Sequence, residues 1–424
     1  MHHPELLAPA KNLERLKVAV TYGADAVYVG GERYGLRARA DNFTEAALEQ
    51  GVAFAHQHKA KVYVTLNAFL HDDDFAGLGA YCQRLQALGV DAVIVSDLGV
   101  IRSIQQHSEL PIHLSTQASC LNRYAAKIWQ QVGVQRLILG RELSIAEAAA
   151  IHTATGMEVE LFAHGAMCMA YSGHCTISNF TAGRDSNRGG CIQSCRVPYF
   201  VQGAAVDSEV ASGAANPVSF MSSRDLWGID QVGNFVHQGI ASLKIEGRMK
   251  SSFYVAIATR VYRTLIDAHR NGTCDGALLA WAASELRSVP HRDYCSGSLE
   301  QPAGGESVFG QLSGANVGTH AYLGLVLETT ETDWVVQLVE PLAVGDEIEV
   351  IPSVGAAVRW RVSHMTSVLG DRRSAMRQES IARLSKADLP ADCAAAGAAI
   401  APFHILRRAT APVAAAPRLA TARP

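Results

Sequence analysis

Apolar positions along this chain gather into short runs that recur behind a glycine. They read "YGADAVYVGG" (22–31), "LGVDAVIVSD" (88–97), "VGVQRLILGR" (132–141) and "QGIASLKIEG" (238–247). Gly23, Gly89, Gly133 and Gly239 suit the left-handed position that closes a helix, and the run behind each has the length of a buried parallel strand. Further strand candidates lie at "ELLA" (5–8), "KVYVTL" (61–66), "PIHLS" (111–115) and "MEVELFA" (157–163), bringing the expected strands to eight. Helical stretches such as 13–22, 44–58 and 146–155 separate most of them. Alternating strand and helix predict parallel βαβ units, and eight such units in about 250 residues predict a (β/α)8 TIM-like barrel. An open doubly wound sheet has the same rhythm. No glycine-rich dinucleotide fingerprint follows the first strand, and this favours the barrel.

The pattern changes after residue 250. A long helix over 251–272 is apolar at Val255, Ala258, Val261, Tyr262 and Leu265 and is expected to close at Gly272. From about His320, period-two alternation at 321–329, 333–340, 346–351 and 356–364, with a turn at 344–346, predicts a small antiparallel β-barrel. The expected organisation is therefore a barrel over 1–300, a small β-domain over 301–408 and an unpacked Ala/Pro-rich tail over 409–424, its composition setting in from about Arg408. Residues 201–218, rich in Gly, Ala and Ser, read as an exposed excursion.

With 424 residues, 48% of them hydrophobic, the chain can bury a large core without staples. The opening residues lack a basic stretch followed by a long apolar one, and no window reaches the ~18 uninterrupted apolar residues of a membrane span. The expectation is a soluble cytoplasmic protein with no membrane partner. A net charge of -3, from 37 basic and 40 acidic residues, leaves no global footprint for nucleic acid, although a local patch suffices for RNA.

Four of the nine cysteines, Cys168, Cys175, Cys191 and Cys195, crowd into "LFAHGAMCMAYSGHCTISNFTAGRDSNRGGCIQSCR" (161–196). A reducing compartment disfavours disulfides and points to metal or redox chemistry. The spacing is not the paired knuckle of zinc ribbons, yet four thiolates complete either a zinc site or a 4Fe-4S cluster, and spacing alone leaves both open. A cysteine nucleophile needs one thiol and a base, for which His164 and His174 are at hand, but no hydrolytic motif supports it. The other five cysteines read as small apolar fillers.

The stretches "ELFAHGAMCMAYSGHCTIS" (160–178), "RDSNRGGCIQSCR" (184–196), "SLKIEGRMKS" (242–251) and "ELLAPAKNLERLKVAVTYGADAVYVGG" (5–31) closely resemble the collagenase-like peptidase family U32. Within it, "HGAMCMAYSGHC" and "IHLSTQAS" (112–119) are most similar to the prephenate-dependent tRNA uridine hydroxylases. The resemblance implies a 4Fe-4S cluster on Cys168, Cys175, Cys191 and Cys195. It also implies oxygen-independent hydroxylation of the tRNA wobble uridine at C5, with prephenate required. A peptidase is the runner-up, and a zinc-ordered RNA-binding protein without catalysis is the third reading.

If the barrel forms, polar residues at strand ends surround one pocket: Arg37 and Arg39 after the second strand, Asn67 after the third, Gln117 after the fifth, Arg141 after the sixth, and Glu246 with Arg248 after the eighth. Arginine forks suit the two carboxylates of prephenate, so Arg37, Arg39, Arg141 and Arg248 are its candidate ligands, with a structural ion pair as the competing role for each. Lys244, alternating with Glu246, is expected to form a salt bridge inside the barrel. Arg184, Arg188 and Arg196 make a basic patch for RNA phosphates or for the charge of thiolate-bound iron, and Tyr171 and Phe180 could stack on a flipped base. No catalytic acid or base stands out.

Overall fold

The computed structural model describes residues 3–36, 42–200, 219–307, 318–390, 393 and 397–410. Its first unit contains ten strands: β1 (Glu5–Pro9), β2 (Ala26–Gly30), β3 (Lys61–Leu66), β4 (Ala92–Val95), β5 (Ile112–Leu114), β6 (Arg136–Ile138), β7 (Glu158–Ala166), β8 (Asp225–Trp227), β9 (Ser242–Ile245) and β10 (Tyr294–Cys295). Strands β1 to β7 pair in parallel in chain order, and β9 pairs in parallel with both β7 and β1. This double pairing closes an eight-stranded barrel and excludes the open sheet. The expected runs all become barrel strands because each carries the buried apolar residues that an enclosed strand requires.

Around the barrel lie α1 (Leu13–Thr21), α2 (Glu45–Gln57), α3 (Leu78–Ala87), α4 (Leu98–His107), α5 (Arg123–Gln131) and α6 (Ile145–Thr155), then a short α7 (Ile177–Ala182), α8 (Val232–His237) and α9 (Ser252–Asn271). Local chemistry sets their ends. Ser144 and Glu147 form a reciprocal capping box that starts α6. Ser251 accepts from Tyr254 N at the start of α9, and Gly272, at φ 70°, closes it as expected. Two strands of this unit were not anticipated. β8 runs antiparallel to the end of β7, and β10 adds to β8; at three and two residues they are too short to show periodicity.

Polar side chains replace apolar ones across part of the barrel interior. Arg136 reaches Glu5 (2.5 Å), Glu158 (2.8 Å) and Glu160 (3.4 Å), and the Tyr63 hydroxyl donates to Glu5 Oε2 (2.7 Å). The expected Lys244 bridge exists, and its partner is Glu160 at 2.9 Å. Glu160 is fully buried, so the two cations compensate a carboxylate that would otherwise be costly to desolvate.

The second unit is described by itself. It comprises Ser284–Pro290 and the described residues from Gly318 to Thr410. Its strands are β11 (His320–Thr329), β12 (Asp333–Leu338), β13 (Leu342–Ala343), β14 (Glu347–Ile351), β15 (Val358–Arg361), β16 (Met365–Ser367), β17 (Ala375–Met376), β18 (Ile381–Ser385) and β19 (Ile405–Ala409). Seven form a curled antiparallel sheet ordered β15-β14-β19-β11-β12-β18-β16 around Trp334, Trp360, Leu338 and Ile348. β19 lies between β14 and β11, and Arg408, where the unpacked composition was expected to begin, is inside it and bonded to Asp346 (2.8 Å). Residues 411–424 and the expected excursion at 201–218 fall outside the described residues. No helix among the described residues is long and apolar enough to cross a membrane.

Candidate functional site

A cavity open to solvent, of about 180 Å³, lies at the carboxyl ends of the barrel strands. Its floor includes Tyr28, Ile138, Phe162 and Lys244, and one wall is the segment that leaves β7. Barrel enzymes collect their chemistry at this end because the βα loops converge there.

Close main-chain approaches fix the cysteine segment. Gly165, at φ 96° on β7, comes so near the chain after β9 that a Cβ there would lie 2.2 Å from Glu246 O. Gly173, at φ 81°, lies against the loop after β5, and a Cβ would stand 1.9 Å from Gln117 O. Only glycine fits either place. Around them Ser172 N donates to Glu142 Oε1 (2.9 Å), Arg141 N donates to Ser172 Oγ (3.3 Å), and Ser119 Oγ donates to Ser172 O. Further along, Asn187 Nδ2 donates to Cys175 O (3.0 Å) and Thr181 Oγ1 to Ser194 Oγ (2.7 Å). The segment is thus laced to the barrel and to itself.

Cys168, Cys175, Cys191 and Cys195 all line this one cavity. Each thiol is at least partly accessible, whereas Cys82 and Cys120 are buried. Burial pushes the Cys195 thiol up, Arg196 pulls it back, and Cys168, Cys191 and Cys175 push it further, as neighbouring thiols do. Among the described residues no three His, Cys, Asp or Glu side chains are gathered at metal-binding distances. What the segment offers is a donor set: four soft sulfur ligands on one wall, with the composition that zinc or an iron–sulfur cluster takes.

The strand-end residues separate into groups. Arg37 and Arg39 lie outside the described residues. Asn67, Gln117, Arg141, Glu246 and Arg248 are brought together around the cavity. Arg141 packs its guanidinium over the Phe162 ring at 3.9 Å, and its Nε is buried with no hydrogen-bond partner. It has no ion pair among the described residues. Arg248 is 5% exposed, donates to Thr65 Oγ1 (3.1 Å) and packs against Gly30, where a Cβ would lie 2.5 Å from Nη1. The Tyr28 hydroxyl lies 3.1 Å from both Glu246 Oε2 and Ile245 O. Among the described lining residues Arg141, Arg196 and Arg248 stand against one carboxylate, Glu246, while Lys244 is paired with Glu160, so the lining is cationic.

The basic patch is divided. Arg196 lines the cavity and donates to Met167 O (2.9 Å). Arg188 is engaged by Asp74 (2.8 Å) and Phe69 O (3.0 Å), and Arg184 lies away from the lining. Tyr171 is 53% and Phe180 89% exposed, with Tyr171 at the cavity.

Several contributors had no distinct sequence signal. Tyr28 and Phe162 sit within apolar runs, and Thr116 lies beside Gln117 with its hydroxyl buried and unpartnered. His164 is fully buried on β7 among Tyr254, Tyr262 and Tyr294, and neither ring nitrogen makes a hydrogen bond of normal geometry. Burial lowers its pKa to about 3, so it is neutral at ordinary pH. None of the four clustered thiols is hydrogen-bonded to His164 or His174 among the described residues. Strand alternation through Lys244 and Glu246 was the one legible hint of what points inward.

Comparison with known proteins gives relatives over most of the chain. It is 42% identical over 351 residues to tRNA hydroxylation protein P1 of Bacillus subtilis, covering 82% of this chain and 83% of that one. It is 33% identical over 416 residues to tRNA hydroxylation protein P of Escherichia coli, covering 88% and 91%. It is 35% identical over 362 residues to the 23S rRNA 5-hydroxycytidine C2501 synthase of Escherichia coli, covering 82% of this chain and 53% of the synthase. Residues 11–308 match the model of peptidase family U32, a region that holds every barrel strand but β1 and all four clustered cysteines; the chain belongs to peptidase family U32.

Proposed function

We propose that this chain is an RNA-modifying enzyme that hydroxylates the wobble uridine of tRNA at C5 without oxygen, using prephenate and a 4Fe-4S cluster on Cys168, Cys175, Cys191 and Cys195. The observation that carries the reading is the placement of four accessible thiols and a cationic lining in one cavity at the catalytic end of a closed barrel. Two of the relatives named above are tRNA hydroxylation proteins and a third is an rRNA hydroxycytidine synthase, which supports RNA as the substrate.

When bound, the cluster supplies one-electron transfer beside the substrate. The chain's own residues do the rest. Arg141 and Arg248 hold the carboxylates of prephenate, Arg141 with a guanidinium that no protein anion among the described residues claims. Arg196, and Arg184 beyond the rim, attract RNA phosphates, while Arg188 serves the loop through Asp74. Tyr171 offers a stacking face at the mouth and Phe180 another, fully exposed, on the same segment. The peptidase reading finds no nucleophile and base in contact among the described residues that line the cavity, and the zinc-ordered RNA-binding reading leaves the cationic cavity without a task.

The test is mass spectrometry of digested tRNA from cells without the oxygen-dependent hydroxylation route. Removing this gene is expected to leave wobble uridine unmodified. Unchanged 5-hydroxyuridine derivatives would overturn the assignment.

A further inference from the structure

One stretch of the cavity wall, from Asn67 to Gln117, carries no charge, and its hydrogen bonds fix the direction of an amide. Leu36 N can only donate. It meets Asn67 at 3.4 Å, so the atom there is Oδ1. Asn67 Nδ2 must then point the other way, where it donates to Ser115 Oγ (3.2 Å) and to Gln117 (3.1 Å). An amide nitrogen cannot accept, so Gln117 presents Oε1 to it. The Ser115 hydroxyl donates to the same oxygen. Ser96 Oγ, donating to Asn67 O (3.0 Å), ties the arrangement to β4.

With Oε1 occupied twice, Nε2 is the end of Gln117 left for a ligand. Gln117 lines the cavity, and no group among the described residues accepts from Nε2. Next to it in the chain, the buried Thr116 hydroxyl also has no partner. This wall therefore offers an oriented donor beside a hydroxyl that can accept. A carboxylate is better served by Arg141 and Arg248. A neutral donor–acceptor pair suits a neutral heterocycle with a carbonyl next to a ring N–H. Uracil has that edge, with O4 and N3–H, whereas cytosine inverts it with an amino group and a bare N3.

We propose that Gln117, oriented by Asn67 and Ser115, is the residue that selects a 4-carbonyl pyrimidine over a 4-amino one, by donating Nε2 to the base carbonyl. The proposal rests on the RNA-hydroxylation reading and adds to it the group that distinguishes uridine from cytidine. It assigns Gln117 a specificity role and leaves the reaction's proton transfers to other groups.

The experiment uses the full chain, purified anaerobically with its metal, and two anticodon stem-loops that differ only in U or C at the wobble position. Fluorescence anisotropy is expected to show tighter binding of the U loop by about tenfold or more, the range one well-formed base contact gives. Gln117→Glu keeps the shape but presents only acceptors when ionised, so the U loop should weaken about tenfold and the preference vanish or invert. Asn67→Asp removes the donor that holds Gln117 Oε1 and should erase the preference through a different side chain. Iron content and thermal midpoint, measured on both variants, report whether the fold and metal site persist. A wild-type chain that binds both loops equally, or variants that keep the full preference, would overturn the role of Gln117 while leaving RNA binding intact. Failure of the wild-type chain to bind either loop would instead remove the RNA reading, and this inference with it.

Discussion

Serine at any one of positions 168, 175, 191 or 195 is expected to strip most of the iron from the anaerobically purified chain and to abolish tRNA hydroxylation, while the barrel stays folded. A serine hydroxyl does not ionise near neutral pH and is a hard oxygen ligand, so the substitution removes one of four soft anionic donors from a site with no spare. The fold should tolerate it because these thiols line the cavity and the segment is held by the close approach of Gly173 to Gln117 and by hydrogen bonds from Ser172 N to Glu142 and from Asn187 Nδ2 to Cys175 O. Cys120→Ser is the control. Its thiol is fully buried, burial pushes its pKa up to about 11, and it does not line the cavity, so iron should remain. Iron and sulfide assays with visible absorption, beside circular dichroism, check this. Unchanged iron in all four single variants contradicts the ligand set.

The second large effect is expected at Arg141. Arg136 and Arg407 each answer a carboxylate inside their units. Arg141 instead lies on Phe162, with an unpartnered Nε, facing the cavity. A guanidinium in that state is a preformed half of a carboxylate fork. A charge-assisted hydrogen bond contributes about 1.5–3 kcal/mol, so Arg141→Ala should raise the prephenate requirement roughly tenfold to a hundredfold. Iron content should not change. Arg141→Lys should fall between, since it keeps the charge and loses the fork. Arg248 is less suited to this test, because it is buried and bonded to Thr65, and its removal disturbs packing as well as charge. Hydroxyuridine measured against graded prephenate supply checks the prediction, and a wild-type response from Arg141→Ala contradicts it.

The barrel was legible because enclosed parallel strands must be apolar on both faces and helices must stop, which leaves long runs and closing glycines in the sequence. Strands β8, β10, β16 and β17 left no such trace; they are two or three residues long and exist through pairing with neighbours. β19 was obscured by the Ala/Pro-rich stretch that follows it. The site divides in the same way. Four cysteines in one segment are visible by eye, as are polar residues after strands. Partnership is not visible. Lys244 was expected to form a bridge, but Glu160, which it meets, lies 84 positions away and becomes a neighbour only when β9 closes on β7. Arg188 looked like its neighbours Arg184 and Arg196 until the loop brought Asp74 to it. The direction of the Gln117 amide depends on Leu36 N, which no local pattern could place.

The decisive measurement is the 5-hydroxyuridine content of tRNA, by mass spectrometry, in anaerobically grown cells where this chain is the sole hydroxylase and prephenate supply can be switched. With the gene and prephenate both present, the wobble uridine should be hydroxylated; without either one, it should not. Equal hydroxyuridine in cells lacking the gene, or full hydroxylation when prephenate is withheld, would contradict the proposed reaction.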